Sequence, residues 1–237
     1  MKTLLRSCIV ASALLVGALT GSGSTVQGLK LVERVDPVFP SGVTLFGVTK
    51  GAVRCVIDVD VNGRVEDVLV IAHTNEHIAT AVKSALPEWR FEPARVAGRA
   101  VPAQTTLEIT MEAVGVVTSM DISSTIMRRM ETIWGQPYGY VAWTLKDLDS
   151  VPVPQQTVTP AYPEQLAARK IQGRVRVDFY IDESGAVRLP IARESDDPDL
   201  STLAIDAVRQ WKFSPPRRNG RSVLVHASQE FNFKPGS

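Results

Sequence analysis

Gly173-Arg-Val-Arg-Val-Asp-Phe-Tyr-Ile-Asp-Glu-Ser-Gly185 is the stretch on which the fold turns, because it lies over Gly51-Ala-Val-Arg-Cys-Val-Ile-Asp-Val-Asp-Val-Asn-Gly63 without a gap. In the first, Val175, Val177, Phe179 and Ile181 alternate with Arg174, Arg176, Asp178 and Tyr180, the period of two that marks a strand with one buried face. Asp182-Glu-Ser-Gly185 supplies turn residues, and Ala186 to Ala192 reads as a returning strand. Asn62-Gly63 stands at the matching turn, a pair that tolerates positive φ in a tight hairpin.

The match extends outward from this hairpin. Gly51 to Met111 falls on Gly173 to Phe233 with a constant offset of 122 (173 − 51). Trp89-Arg-Phe91-Glu-Pro93 meets Trp211-Lys-Phe213-Ser-Pro215, Gly98-Arg99 meets Gly220-Arg221, and Pro37-Val-Phe39-Pro40 meets Pro160-Ala-Tyr162-Pro163 after one inserted residue. A period this long, with a full set of elements in each copy, points to a duplicated domain and not to a solenoid.

Between hairpin and tryptophan, Leu200, Leu203, Ala204, Ala207, Val208 and Trp211 form one helical stripe, opened by Asp197 as cap and Pro198 in the first turn. Ile78, Ala81, Val82, Ala85, Leu86 and Trp89 repeat it, with Pro87 expected to end the first helix about a turn early. A last extended run, Ser222 to Phe233, corresponds to Ala100 to Met111. The order in each copy is β-β-α-β, an α+β fold. A short helix over 164–170 can precede it in the second copy, whereas 41–50 need not be helical.

These residues resemble the C-terminal domain of TonB-type energy transducers. The resemblance rests on Tyr162-Pro163, Gly173-x-Val, Asp182 and Gly185 of the hairpin, Trp211-x-Phe213-x-Pro215, Asn219-Gly220 and the closing Phe231-Asn-Phe233; the first copy matches more loosely through Trp89, Phe91 and Pro93. It implies two tandem domains, over 29–113 and 148–237, each a three-stranded antiparallel sheet with helix on one face. It also implies work in the Gram-negative periplasm, where such a domain lays a short receptor peptide beside an exposed strand. The expected edge is the last strand, with Ser222, Val223, Leu224, Val225, His226, Phe231 and Phe233 as candidate contacts.

Length and composition agree with two ordinary domains: 237 residues, 44% hydrophobic and 22% charged. Twenty-six basic against 25 acidic side chains leave a formal charge of +1, too little to hold a polyanion, so nucleic acid is not expected as a partner. Residues 1–24 read as a cleavable signal peptide, with Lys2 and Arg6 before an apolar run of about a dozen residues, shorter than the ~20 that span a bilayer. Removal of Cys8 with it leaves Cys55, on the inward side of its strand, without a disulfide partner. A linker, 114–147, carries Ile122, Ile126, Met130 and Ile133 at helical spacing. Such a helix is expected either to dock the two domains or, with Trp134, Tyr138, Tyr140 and Trp143, to form a partner surface.

No catalytic constellation emerges. His73-Thr-Asn-Glu76-His77 spells H-x-x-E-H, whose zinc chemistry needs both imidazoles on one helical face. The repeat sets these residues against Ser195 to Asp199, the entry to the helix, so they are expected to be incidental surface histidines; no metal and no cofactor is assigned. Arg95 and Arg99, with Arg217, Arg218 and Arg221, form basic turns, read as solvated or as attracting acidic peptide or envelope polymer. The expected function is that of a periplasmic module binding an outer-membrane receptor segment. The alternative is a structural envelope protein that binds peptidoglycan or forms a homodimer through open sheet edges.

Overall fold

In the computed structural model, residues 9–10, 26–113 and 139–234 are described. The chain divides into two compact units, one ending at Val141 and the other starting at Ala142.

The first unit is built on β1 (Lys50–Val59), β2 (Val65–His73), α1 (Glu76–Ala85) and β3 (Ala103–Glu112). β1 is central and antiparallel to both neighbours, with Val53 opposite Ile109 and Met111 opposite Gly51. Val53, Cys55, Ile57 and Val59 are completely buried on its inner face, against Ile78, Val82, Leu86 and Trp89. At roughly 1.5–3 kcal/mol for each large apolar side chain, this face is what fixes the helix to the sheet. The three-stranded sheet expected from the sequence is widened by two short pieces, Tyr140–Val141 beside β2 and Ile9–Val10 beside β3, each pairing backbone groups that an edge would leave open.

The second unit contains β4 (Trp143–Thr144), α2 (Glu164–Ala168), β5 (Gly173–Ile181), β6 (Val187–Ser195), α3 (Pro198–Val208) and β7 (Val225–Phe233). Its sheet runs β4-β7-β5-β6, so it too has three long strands and one short addition. Val175, Val177, Phe179 and Ile181 face Leu200, Ala204 and Val208 of α3. β5 pairs with β7 in the register of β1 with β3 displaced by 122: Val175 lies opposite Phe231 as Val53 lies opposite Ile109.

Polar details recur at the same interval. Asp60 Oδ1 accepts from the amides of Asn62 and Arg64, and Asp182 Oδ1 from those of Ser184 and Ala186, closing both hairpin turns. Only the glycine takes positive φ in each, Gly63 at 79° and Gly185 at 90°; Asn62 does not share it, because the aspartate closes the turn instead. A Cβ on Gly63 would stand 1.7 Å from the Phe91 carbonyl oxygen, and one on Gly185 2.0 Å from that of Phe213. Glycine is therefore required twice over, for conformation and for close approach. Asn75 and Asp197 cap α1 and α3 through their side-chain oxygens.

Helix ends differ in detail from expectation. α1 stops at Ala85 and continues as a 3-10 turn, Leu86–Glu88, because Pro87 has no amide for the next α-helical bond. α2 ends at Ala168, and Lys170 has a φ of 52°. A single helical turn, Ser41–Thr44, occupies the matching place in the first unit, where none was required by the sequence. The 121–134 helix and the signal peptide lie outside the described residues, save Ile9–Val10. No helix among the described residues is long and apolar enough to cross a membrane.

Candidate functional site

The outer strands of the second sheet are not equivalent. β6 is broken by two register shifts, contains Pro190, and holds Leu189 at a φ of 49°. These features remove or misdirect backbone donors and blunt the edge. β7 pairs with β5 over nine consecutive residues without a bulge. Among the described residues its far side meets only β4, which runs parallel to it with Trp143 opposite Val225 and Thr144 opposite His226.

Alternation along β7 determines what faces outward. The Leu224 carbonyl accepts from the Trp143 amide at 2.9 Å and so points away from β5. With no bulge to interrupt the alternation, Ser228, Glu230 and Asn232 turn their N–H and C=O groups to the same side. All three are exposed, and no strand pairs with them there among the described residues. The Gln229 side-chain amide donates to the Glu230 carbonyl at 2.8 Å, a local substitute for a strand partner.

This corrects the candidate list in three ways. Ser222 is outside β7, in a two-residue ladder opposite Arg217, and Val223 donates to the Pro216 carbonyl. The chain turns there because Asn219 and Gly220 both adopt positive φ. Leu224, Val225 and Phe233 are core residues at 0%, 0% and 7% exposure, so none can offer a side chain to a ligand. His226 and Phe231 are half-buried on opposite faces of β7. The residues that carry the open edge, Ser228, Glu230 and Asn232, were missed by sequence reasoning because polar side chains on one face say nothing about which backbone groups lack partners.

The basic turns are more engaged than a solvated loop. Arg95 donates to the Gly98 carbonyl and Arg217 to that of Gly220, the same contact in both units. Arg218 lies 3.6 Å above the centre of the Trp143 ring, a cation-π contact. Arg99 and Arg221 are exposed. Asp149 accepts from the amides of Asn219 and Gly220 at 2.8 and 2.9 Å, and these bonds hold its carboxyl below the usual carboxylate range.

The motif residues form the scaffold behind the edge. Trp211 Nε1 donates to the Val158 carbonyl at 2.8 Å, as Trp89 Nε1 does to that of Val35. Trp89 is 1% exposed, whereas Trp211 is half-buried and packs on Phe179, Phe213 and Phe231. Tyr162 Oη donates to the Ile171 carbonyl, and Pro163 stands at the N-cap of α2. A Cβ on Gly173 would collide with Asp196. Phe91 and Phe213 are buried, Pro93 is half-buried, and Pro215 is exposed just before the buried Pro216.

On the sheet face away from α3, Asp178 is 8% exposed. Its carboxylate faces Arg176, Arg193 and His226. The His226 imidazole is held below the usual histidine range, first by burial; Asp178 opposes this, and Arg193 and Arg176 add to it. In the first unit His73 ends β2 and stacks on Tyr140 at 5.0 Å, while His77 lies in the first turn of α1. The two imidazoles therefore do not share a helical face. Among the described residues no cluster of three metal-ligating side chains occurs. Burial pushes the Cys55 thiol up to about 12, which suppresses the reactive thiolate.

Residues 158–235 match the family described as Gram-negative bacterial TonB protein C-terminal. The chain carries a TonB C-terminal domain. The matched span takes in α2, β5, β6, α3 and β7, and leaves out Trp143 to Asp149. Protein TonB of Pseudomonas aeruginosa is 31% identical over 99 residues, which is 41% of this chain and 28% of that protein. Protein TonB of Vibrio cholerae is 31% identical over 78 residues, 32% of each chain. The solution structure of the Pseudomonas aeruginosa TonB C-terminal domain is 31% identical, with 38% of this chain and 91% of that one covered and a TM-score of 0.33. The chain spans about a third of the length of these curated relatives.

Proposed function

We propose that this chain is a periplasmic binding module linked to TonB-dependent transport, and that its TonB C-terminal domain takes up an extended segment of an outer-membrane receptor beside β7. The observation that carries the reading is the bulge-free run from Ala227 to Phe233, whose outward backbone groups have no strand partner among the described residues. Strand addition there would give affinity through backbone bonds and selectivity through alternate side chains. Register and caps repeated at an interval of 122, with indole bonds whose acceptors shift to 123 across the one-residue insertion, support a second reading within the first: the two units are tandem copies of one domain.

Amide hydrogen exchange of the full chain, measured with and without synthetic peptides from the periplasmic plug segments of such receptors, tests the proposal. The expected result is slowed exchange at the amides of Ser228, Glu230 and Asn232. Saturation with peptide while all three amides keep their rates would reject β7 as the site. Sedimentation with cell-wall fragments in place of peptide capture would favour a peptidoglycan-binding role.

A further inference from the structure

The edge of β7 is not open along its whole length, and the segment that closes one end is held by contacts of its own. β4 enters parallel to β7 and covers Val225 and His226 only. It then leaves the edge at a 3-10 turn, Leu145–Asp147, closed by a capping box in which Thr144 and Asp147 bond each other reciprocally. Leu145 and Leu148 pack against the core below.

Two further ties do not involve β7. The Trp143 ring carries the Arg218 guanidinium. Asp149 grips the 217–220 turn with both ends of the residue, its carboxylate accepting from Asn219 and Gly220 and its amide donating to the Arg217 carbonyl at 2.8 Å. Trp143 to Asp149 therefore belongs to the turn before β7 as much as to the edge. An arriving strand that displaced it would have to break the ring contact and the carboxylate grip as well as the β4 pairing.

We propose that Trp143–Asp149 is a fixed end-stop on the edge of β7, confining an incoming strand to Ala227–Phe233 and so setting both the length and the register of the ligand. This rests on the strand-addition reading above and adds to it a limit on the peptide. Three outward-facing residues, Ser228, Glu230 and Asn232, remain beyond the stop. At about 3.3 Å per residue they are served by roughly six residues of extended peptide. A longer peptide has no further backbone partner at the β4 end, because β4 is paired there and the Leu224 carbonyl already accepts from the Trp143 amide. At the other end β7 finishes at Phe233.

The test compares peptides of six and ten residues, both centred on the same plug segment, against the full chain. In the unsubstituted protein the two are expected to bind within about two-fold of each other, and the His226 amide keeps its exchange rate on addition of either. In Trp143→Ala, and separately in Asp149→Ala, the stop is released. The free His226 amide should then exchange faster, and the ten-residue peptide should gain on the shorter one by about ten-fold, as one or two extra backbone bonds imply. A clear preference of the unsubstituted protein for the longer peptide, with loss of the Trp143–Thr144 pairing on binding, overturns the end-stop while leaving strand addition intact. Absence of protection at Ser228, Glu230 and Asn232 with every peptide overturns the binding reading and the end-stop together.

Discussion

Replacing Gly185 with alanine tests the link between the hairpin turn and the motif that follows the helix. The residue sits at a φ of 90°, where an L side chain costs about 1–2 kcal/mol. The added Cβ would lie 2.0 Å from the Phe213 carbonyl oxygen and 2.9 Å from its carbon, so turn and strand must separate by more than an ångström. That movement strains the Phe213 amide to Gly185 carbonyl bond, 2.9 Å long, whose loss costs about 1 kcal/mol. It also draws Phe213, 8% exposed, partly out of the core, for about another 1 kcal/mol. The sum is roughly 3 kcal/mol, or about 15 °C in the melting temperature of a domain near 100 residues. Gly220→Ala is the control, since Gly220 has a φ of 73° but nothing within 4 Å of its absent Cβ. It should lose only the conformational part, about 1 kcal/mol. Calorimetric and urea unfolding of both variants would refute the reasoning if the two losses agreed within experimental error, because the close approach to Phe213 would then count for nothing.

Trp89→Phe and Trp211→Phe each remove an indole donor from a buried tie, but Trp89 is fully enclosed, so its smaller replacement also leaves a void; urea midpoints should place the first variant lower by about 1 kcal/mol. Acid sensitivity should pass through His226. Its folded-state pKa is depressed from 6.5, so the folded protein takes up the proton less readily than the unfolded chain. The stability concerned is present in full above pH 6.5 and is lost as pH falls towards the folded value. Urea midpoints from pH 8 to pH 4.5 should slope less in His226→Gln, with the remainder of the slope reporting His73, whose pKa burial depresses in the same sense; an unchanged slope would remove His226 from the account.

The elements themselves were legible because hydrophobic period and turn chemistry agree. Val175 to Ile181 alternates as a strand, Asp197-Pro198 opens a helix, and the 122-residue interval carries over into the register of β1 with β3 and β5 with β7. What could not be read was how far along the last strand the edge is open and which residues carry it. Leu224 and Phe233 look like exposed-edge candidates in a linear pattern, yet both lie in the core, Phe233 on the same inward face of β7 as Val225 and Ala227. The cover by Trp143 and Thr144 depends on pairing across some 80 positions, with only two residues of strand, too short for any periodic signal. The contact of Arg218, read from the sequence as part of a solvated or acid-attracting turn, was hidden for the same reason: its partner is an aromatic ring far away in the chain.

The crooked outer margin of β6 gives the second unit a polarity in how it can associate. Fibrous growth by sheet extension demands two adhesive rims on every subunit, so that each arrival leaves a fresh one behind. Pro190 and the paired register shifts spoil one rim, so among the described strands of this sheet a molecule joined to another through β7 would turn a blunted margin, and not a second adhesive one, towards the next arrival.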